Sequence, residues 1–299
     1  MILLDGDLDL VRTCRPLSAG SGDPTWRFGP DRVARARWTV DGPATVEVRR
    51  RPGGLDARAW GPGAERALAD VEPMVGADDH ADGFRPGLHP LVGRLARVRS
   101  GARFGAGLST WDAAIPTVLG QRVTTGEARR SWWQLVRRHG SVAPGPLGEQ
   151  EGLRLTPTPR TVAHLGDADW HVLGVERRRA DTVRRMTAVL ESLDRAAASG
   201  SVEYQRVLTT LPGVGPWTAT GLAASVLGDP DAVLLGDLHV PHTVCHALAG
   251  EARGSDERML ELLAPWAGHR GRVVRLVKGA GRGAPRRGPR YAPIPIARW

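Results

Sequence analysis

The chain has 299 residues of which 41% are apolar, enough for one large domain or two and for a sizeable buried core. Its formal net charge is +9, which favours a polyanionic partner, and every basic residue but Lys278 is arginine, the side chain suited to bidentate phosphate contacts. Two cysteines, Cys14 and Cys245, exclude a disulfide framework and a four-cysteine iron–sulfur cluster, and the acidic opening Met-Ile-Leu-Leu-Asp-Gly-Asp predicts no signal peptide and a cytoplasmic, nucleoid-associated protein.

Residues 1–82 read as a small α/β lobe built on a mixed sheet. Segments 32–40 and 44–50 alternate as strands, with Val46 and Val48 on one face, and Gly-Pro and Pro-Gly-Gly turns separate them. Residues 64–71 predict a helix. Asp78 to Asp82 reads as an acidic surface connection. Residues 83–278 read as all-helical. Leu88, Leu91, Leu95 and Val98 share one face of a helix over 86–98. A long helical pattern over 110–140 breaks near Gly120. Residues 141–152, rich in Pro and Gly, predict a connecting loop. Helical patterns follow over 177–193, 203–210, from Pro216, over 240–249, 255–263 and 271–278. Residues 279–299 form a basic tail: nine Arg and Lys and no Asp or Glu lie in 268–299, equal to the whole net charge.

The stretch 203–238 carries the chemistry. Leu211-Pro-Gly-Val-Gly215 separates two helices, and Pro216 suits the first position of the second. Gly213 and Gly215 lack a Cβ, so a phosphate can approach the backbone, and the following helix N-terminus adds partial positive charge. Such a device grips a strand without reading its bases. Asp237 stands 22 positions after Gly215, just before the helix at 240, where it also suits a helix cap.

In Leu-Pro-Gly-Val-Gly-Pro-Trp-Thr-Ala and the later Leu-Leu-Gly-Asp237-Leu, the chain resembles the helix–hairpin–helix DNA glycosylase superfamily, and within it the 3-methyladenine DNA glycosylase II branch. The resemblance implies an α+β protein, a monomer acting on double-stranded DNA that contains alkylated bases. It implies Asp237 as the catalytic carboxylate and Gly213, Gly215 and Thr218 as phosphate-binding residues. Trp217 and Trp266 would line the pocket for a flipped base. Arg122, after Gln121 in Leu-Gly-Gln-Arg-Val-Thr, would be the wedge that fills the gap, where relatives often place an apolar residue. Gln121 would brace that turn. The carbonyls of Thr209, Leu211 and Val214 would hold a monovalent cation, Na or K, with no cofactor for catalysis.

Bifunctional members carry a lysine two positions after the last hairpin glycine, where it forms a Schiff base with the sugar. Here that position is Trp217, so a monofunctional enzyme without abasic-site lyase activity is expected. Four positions further a relative's tyrosine is replaced by Gly221, which implies a wider or differently walled pocket. Two other readings remain. His239, His242, Cys245 and His246 have spacings compatible with a zinc hydrolase or nuclease. A DNA-binding protein without turnover would also keep the hairpin.

Overall fold

The computed structural model describes residues 7–281, so most of the basic tail lies outside the described residues. Trp26–Gly29 (β1), Arg32–Thr39 (β2), Gly42–Arg51 (β3) and Gly54–Trp60 (β4) form one sheet in the order β1-β2-β3-β4. The sheet is antiparallel throughout, not mixed. The turn registers pair Gly29 with Arg32, Thr39 with Gly42 and Arg51 with Gly54, so each strand returns through a two-residue turn and no crossover intervenes. The predicted strands are β2 and β3. The edge strands β1 and β4 escaped prediction because one has four residues and the other, though Leu55, Ala57 and Ala59 alternate, is carried mostly by alanines, which are weak strand formers.

The helices are α1 (Leu10–Cys14), α2 (Ala64–Ala69), α3 (Val71–Met74), α4 (Pro90–Val98), α5 (Thr110–Leu119), α6 (Thr125–His139), α7 (Pro146–Glu151) and α8 (Pro159–Ala163). They continue with α9 (Asp167–Val172), α10 (Arg177–Ala198), α11 (Ser201–Thr209), α12 (Pro216–Val226), α13 (Val240–Ala249), α14 (Asp256–Leu263) and α15 (Arg270–Gly279). The segment expected to be a plain loop contains α7. It covers the outer sheet face, where Leu147, Leu153 and Leu155 pack on Ala34 and Ala36. That burial, absent from the local Pro/Gly composition, orders the segment.

Two larger cores divide the molecule. The first joins the inner sheet face, through Val33, Val46 and Val48, to Ile115 and Val118 of α5, Val183 and Met186 of α10, Leu208 of α11 and Leu222 of α12. The second joins Val92 of α4 to Val244 of α13, Met259 of α14 and Val273 and Val277 of α15. The sheet is fastened to α5 by a buried ion pair. Arg35 Nη2 donates to Asp112 Oδ2 at 2.8 Å, and Thr156 Oγ1 donates to the other carboxylate oxygen at 2.8 Å. Burial pushes the Arg35 guanidinium down to about 10.

The acidic connection is less superficial than expected. The Asp79 side chain is buried: it accepts Arg272 Nη1 at 2.9 Å and the Phe104 backbone N–H at 2.7 Å. A distant arginine draws it inward, since a buried carboxylate requires such a partner.

Candidate active site

Helices α11 and α12 are joined by the hairpin at residues 211–215. Gly213 has φ +94°, and a Cβ there would collide with the Thr182 side chain on α10. Both conformation and space require glycine. Gly215 is extended, and a Cβ there would meet nothing within 4 Å, so its bareness leaves open room on the outer side. Pro216 opens α12 without a side-chain cap, which leaves the helix N-terminus to an external acceptor. Val214, 5% exposed, plugs the hairpin into the first core.

Thr218 faces the other way. It is buried, and its Oγ1 accepts from Gln121 Nε2 at 2.8 Å, so the hydroxyl expected at phosphate instead braces the neighbouring turn. The same Nε2 donates to the Gly213 carbonyl at 2.9 Å. Gln121 thus spans from the turn after α5 to the hairpin. Arg122 follows it at φ +57°, the one non-glycine residue with positive φ among the described residues, and its side chain is exposed. Such a conformation is strained and persists only where surrounding bonds impose it.

Asp237 lies across from α12, at the entry to α13. Its Oδ1 accepts the backbone N–H groups of His239 at 2.8 Å and Val240 at 2.9 Å. Its Oδ2 accepts Trp217 Nε1 at 2.9 Å. The preceding Gly236 N–H donates to Asp256 Oδ2 at 2.7 Å, which fixes the approach of the chain. Burial by itself would raise the carboxyl pKa. The Trp217, His239 and Val240 N–H groups, with the positive charge of Lys278, outweigh it and hold the carboxyl below the usual carboxylate range. No ion pair touches Asp237 among the described residues, so it is a fixed anion held by dipoles.

Trp217 is half-buried and links two parts of the site. Its indole N–H holds Asp237, while the far end of its ring lies beside Gly120, under the turn that carries Arg122. Trp266 belongs to the second core, which also holds Val240 of α13. It is 5% exposed there, with its N–H donating to the Arg85 carbonyl at 2.9 Å. Gly221 faces Thr117 and Leu234, each with a side-chain carbon 3.6 Å from where its Cβ would stand, so both would be in ordinary contact with a side chain there. Leu238, beside Asp237, is 70% exposed, an apolar surface that sequence reading passed over. Lys278 belongs to the last turn of α15, within the helical pattern expected over 271–278.

The histidine–cysteine cluster assembles no set of three ligands among the described residues. Cys245 is buried and its Sγ faces Gly254, while His242 Nδ1 accepts the Gly254 N–H at 3.0 Å. His239 is exposed. No group of three or more potential metal ligands occurs among the described residues, so the zinc reading has no geometric basis there. At the hairpin, the Leu211 carbonyl accepts the Val214 N–H at 3.0 Å and keeps a second lone pair. Three neutral carbonyls, from Thr209, Leu211 and Val214, are a donor set compatible with a hard monovalent cation.

No protein-family model matches the chain. Over 176 residues, 58% of this chain, it is 32% identical to a Mycobacterium tuberculosis protein described as "Probable bifunctional transcriptional activator/DNA repair enzyme AlkA". Over 177 residues it is 25% identical to the Escherichia coli protein "DNA-3-methyladenine glycosylase 2". The chain spans 34% and 60% of the lengths of these two curated relatives. Its fold matches that of a 3-methyladenine DNA glycosylase from Archaeoglobus fulgidus with a TM-score of 0.76 at 18% identity, covering 93% of this chain and 97% of that one. The chain is thus similar in part of its length to these two proteins, and its antiparallel sheet and helical body share the fold of the third.

Proposed function

We propose that the protein is a monofunctional DNA glycosylase that flips alkylated bases of the 3-methyladenine type out of duplex DNA and hydrolyses their N-glycosidic bond. The observation that carries the reading is Asp237, an anion held by three N–H donors beside a half-buried indole. Relatives described as an AlkA DNA repair enzyme and as a DNA-3-methyladenine glycosylase point to the same class of chemistry.

The steps follow from the side chains. The hairpin backbone at Gly213 and Gly215 and the open N-terminus of α12 take the phosphates of one strand. Arg122 enters the stack as the base leaves it. The flipped base lies against Trp217, whose ring attracts a cationic purine. The C1′–N bond then breaks, the base departs with the electron pair, and the sugar becomes oxocarbenium-like. Asp237 stabilises that positive charge. Water adds to C1′ and loses a proton. A carboxylate with depressed basicity suits electrostatic stabilisation and orientation of the water better than proton abstraction. An N-methylated purine is already cationic and leaves without much acid help. Thr209, Leu211 and Val214 would hold a monovalent cation whose charge supports the bound phosphate. The enzyme acts as a monomer in the cytoplasm.

Trp217 in place of a Schiff-base lysine supports the absence of lyase activity. The test is release of free base from methylated duplex DNA by wild type and Asp237→Asn, with strand cleavage followed in the same reactions. Release by wild type alone, with strands intact until alkali, is expected. Cleavage without alkali that disappears in Lys278→Ala would overturn the monofunctional reading, and no release from any methylated substrate would overturn the alkylated-base reading.

A further inference from the structure

The turn that carries Arg122 is fastened at three points. At its far end, Thr124 and Glu127 form a capping box that starts α6, with Thr124 N donating to Glu127 Oε2 at 2.8 Å. In its middle, Gln121 reaches Gly213 and Thr218. At its near end stands Arg179 of α10, whose Nη1 donates to the Leu119 carbonyl at 2.8 Å and whose Nη2 makes a longer 3.5 Å bond to the Gly174 carbonyl. Leu119 is the last residue of α5 and directly precedes Gly120, Gln121 and Arg122.

Arg179 is an unusual side chain to bury. It is 2% exposed, its Nε has no hydrogen-bond partner, and of the two carboxylates that act on it Glu176 is half-exposed with Oε1 at 3.6 Å and Glu127 belongs to the capping box of α6. A buried cation without a close ion pair is a poor source of stability, and an apolar side chain of similar volume would serve the core at least as well. What the guanidinium supplies is a fixed donor at the negative end of α5. The same helix face also meets the hairpin: Thr182, three residues on, abuts Gly213, and Arg185 Nη1 donates to the Pro212 carbonyl at 3.3 Å.

We propose that Arg179 is a positioning residue for the gap-filling turn, and that the first turns of α10 form the plate on which the turn and the phosphate-gripping hairpin are set at a fixed separation. Strand capture at the hairpin then brings Arg122 to the base stack without a search. This rests on the proposed function, and specifically on Arg122 as the wedge.

The test compares Arg179→Met, Arg179→Lys and Arg122→Ala with wild type. Three quantities are read: base release from methylated duplex, base release from the same oligonucleotide single-stranded, and the fluorescence rise of a 2-aminopurine placed beside the lesion, which reports flipping. Arg179→Met is expected to slow duplex release and the fluorescence rise on the order of 10- to 100-fold, as a displaced positioning element does. Single-strand release and melting temperature stay at the wild-type values, and Arg179→Lys recovers part of the loss. If Arg122→Ala fails to flip while Arg179→Met flips normally, the wedge stands and the positioning role falls. If Arg179→Met loses single-strand and duplex release equally, Arg179 is merely structural and the proposal falls. If Arg122→Ala behaves as wild type, the wedge reading fails and takes the proposal with it. Absence of base release by wild type is a separate failure, that of the proposed function.

Discussion

Asp112 and Asp237 are both withdrawn from free solvent, yet they are held by opposite means. Asp112 is 8% exposed and meets a guanidinium at 2.8 Å and a hydroxyl at 2.8 Å, so its charge is cancelled where it stands. Asp237 is half-buried, and its hydrogen bonds among the described residues come from N–H dipoles, an indole and two backbone amides. Dipoles keep a carboxylate ionised without cancelling its charge, which leaves that charge for a cation that arrives later. The contrast separates a carboxylate that fastens two layers from one that awaits a reaction.

Breaking the fastening one is expected to have the largest effect. Asp112→Ala strands the Arg35 cation in the core, and chemical denaturation is expected to register a loss of about 3–5 kcal/mol. Activity per folded molecule is expected to remain at the wild-type level; a specific loss of turnover in the folded fraction would erase the contrast. Asp237→Asn is the converse. It keeps most of the cap geometry but removes the charge, and base release is expected to fall about 10²- to 10³-fold with duplex binding and melting temperature little changed.

Trp217→Phe sharpens the comparison by removing one dipole. Base release is expected to fall about tenfold, the scale of one lost hydrogen bond to a charged group. Because Asp237 lies below the usual carboxylate range, its reactive ionised form persists as pH falls through that range, and the wild-type pH–rate profile has no acid limb from Asp237 there. Removing the indole donor raises the carboxyl pKa, so the acid limb of Trp217→Phe appears at higher pH than that of wild type. An unshifted limb would mean that the indole does not hold the carboxylate in solution. Lys278→Ala gives the smallest effect. It removes a distant, exposed charge, and less than about a twofold change in rate is expected, vanishing in high salt because exposed charges are screened.

The same contrast marks how far sequence reading reaches. The hairpin was legible because its device is local: glycines, a proline at the first helical position and a spacing to Asp237 can all be read along the chain. That Asp237 would hold the entry to the helix at 240 was legible for the same reason, although the cap position itself is His239 and Asp237 takes the N–H groups two and three residues on. Trp217 as the replacement for a lysine is likewise a matter of position. By contrast, the inward turn of Thr218, the burial of Trp266 and the capture of Asp79 by Arg272 each depend on a partner 97, 181 or 193 residues away. Nothing in the neighbouring residues announces them. The same holds for α7, ordered by the outer sheet face, and for Arg179, which reads as one arginine in a run of three.

The sequence by itself determined where the chain turns, which strand pair and helices it builds, and which backbone can meet a phosphate, because those follow from side-chain entropy, sterics and hydrogen bonds between near neighbours. Tertiary structure alone decided that the first core would bring the wedge turn, Trp217 and the hairpin to one edge, and that the second would bring Asp237 to face them. The reason is physical. Burial of apolar faces is nondirectional and chooses partners by fit across the whole chain, whereas the polar contacts that tune a site form only after packing has set the distances.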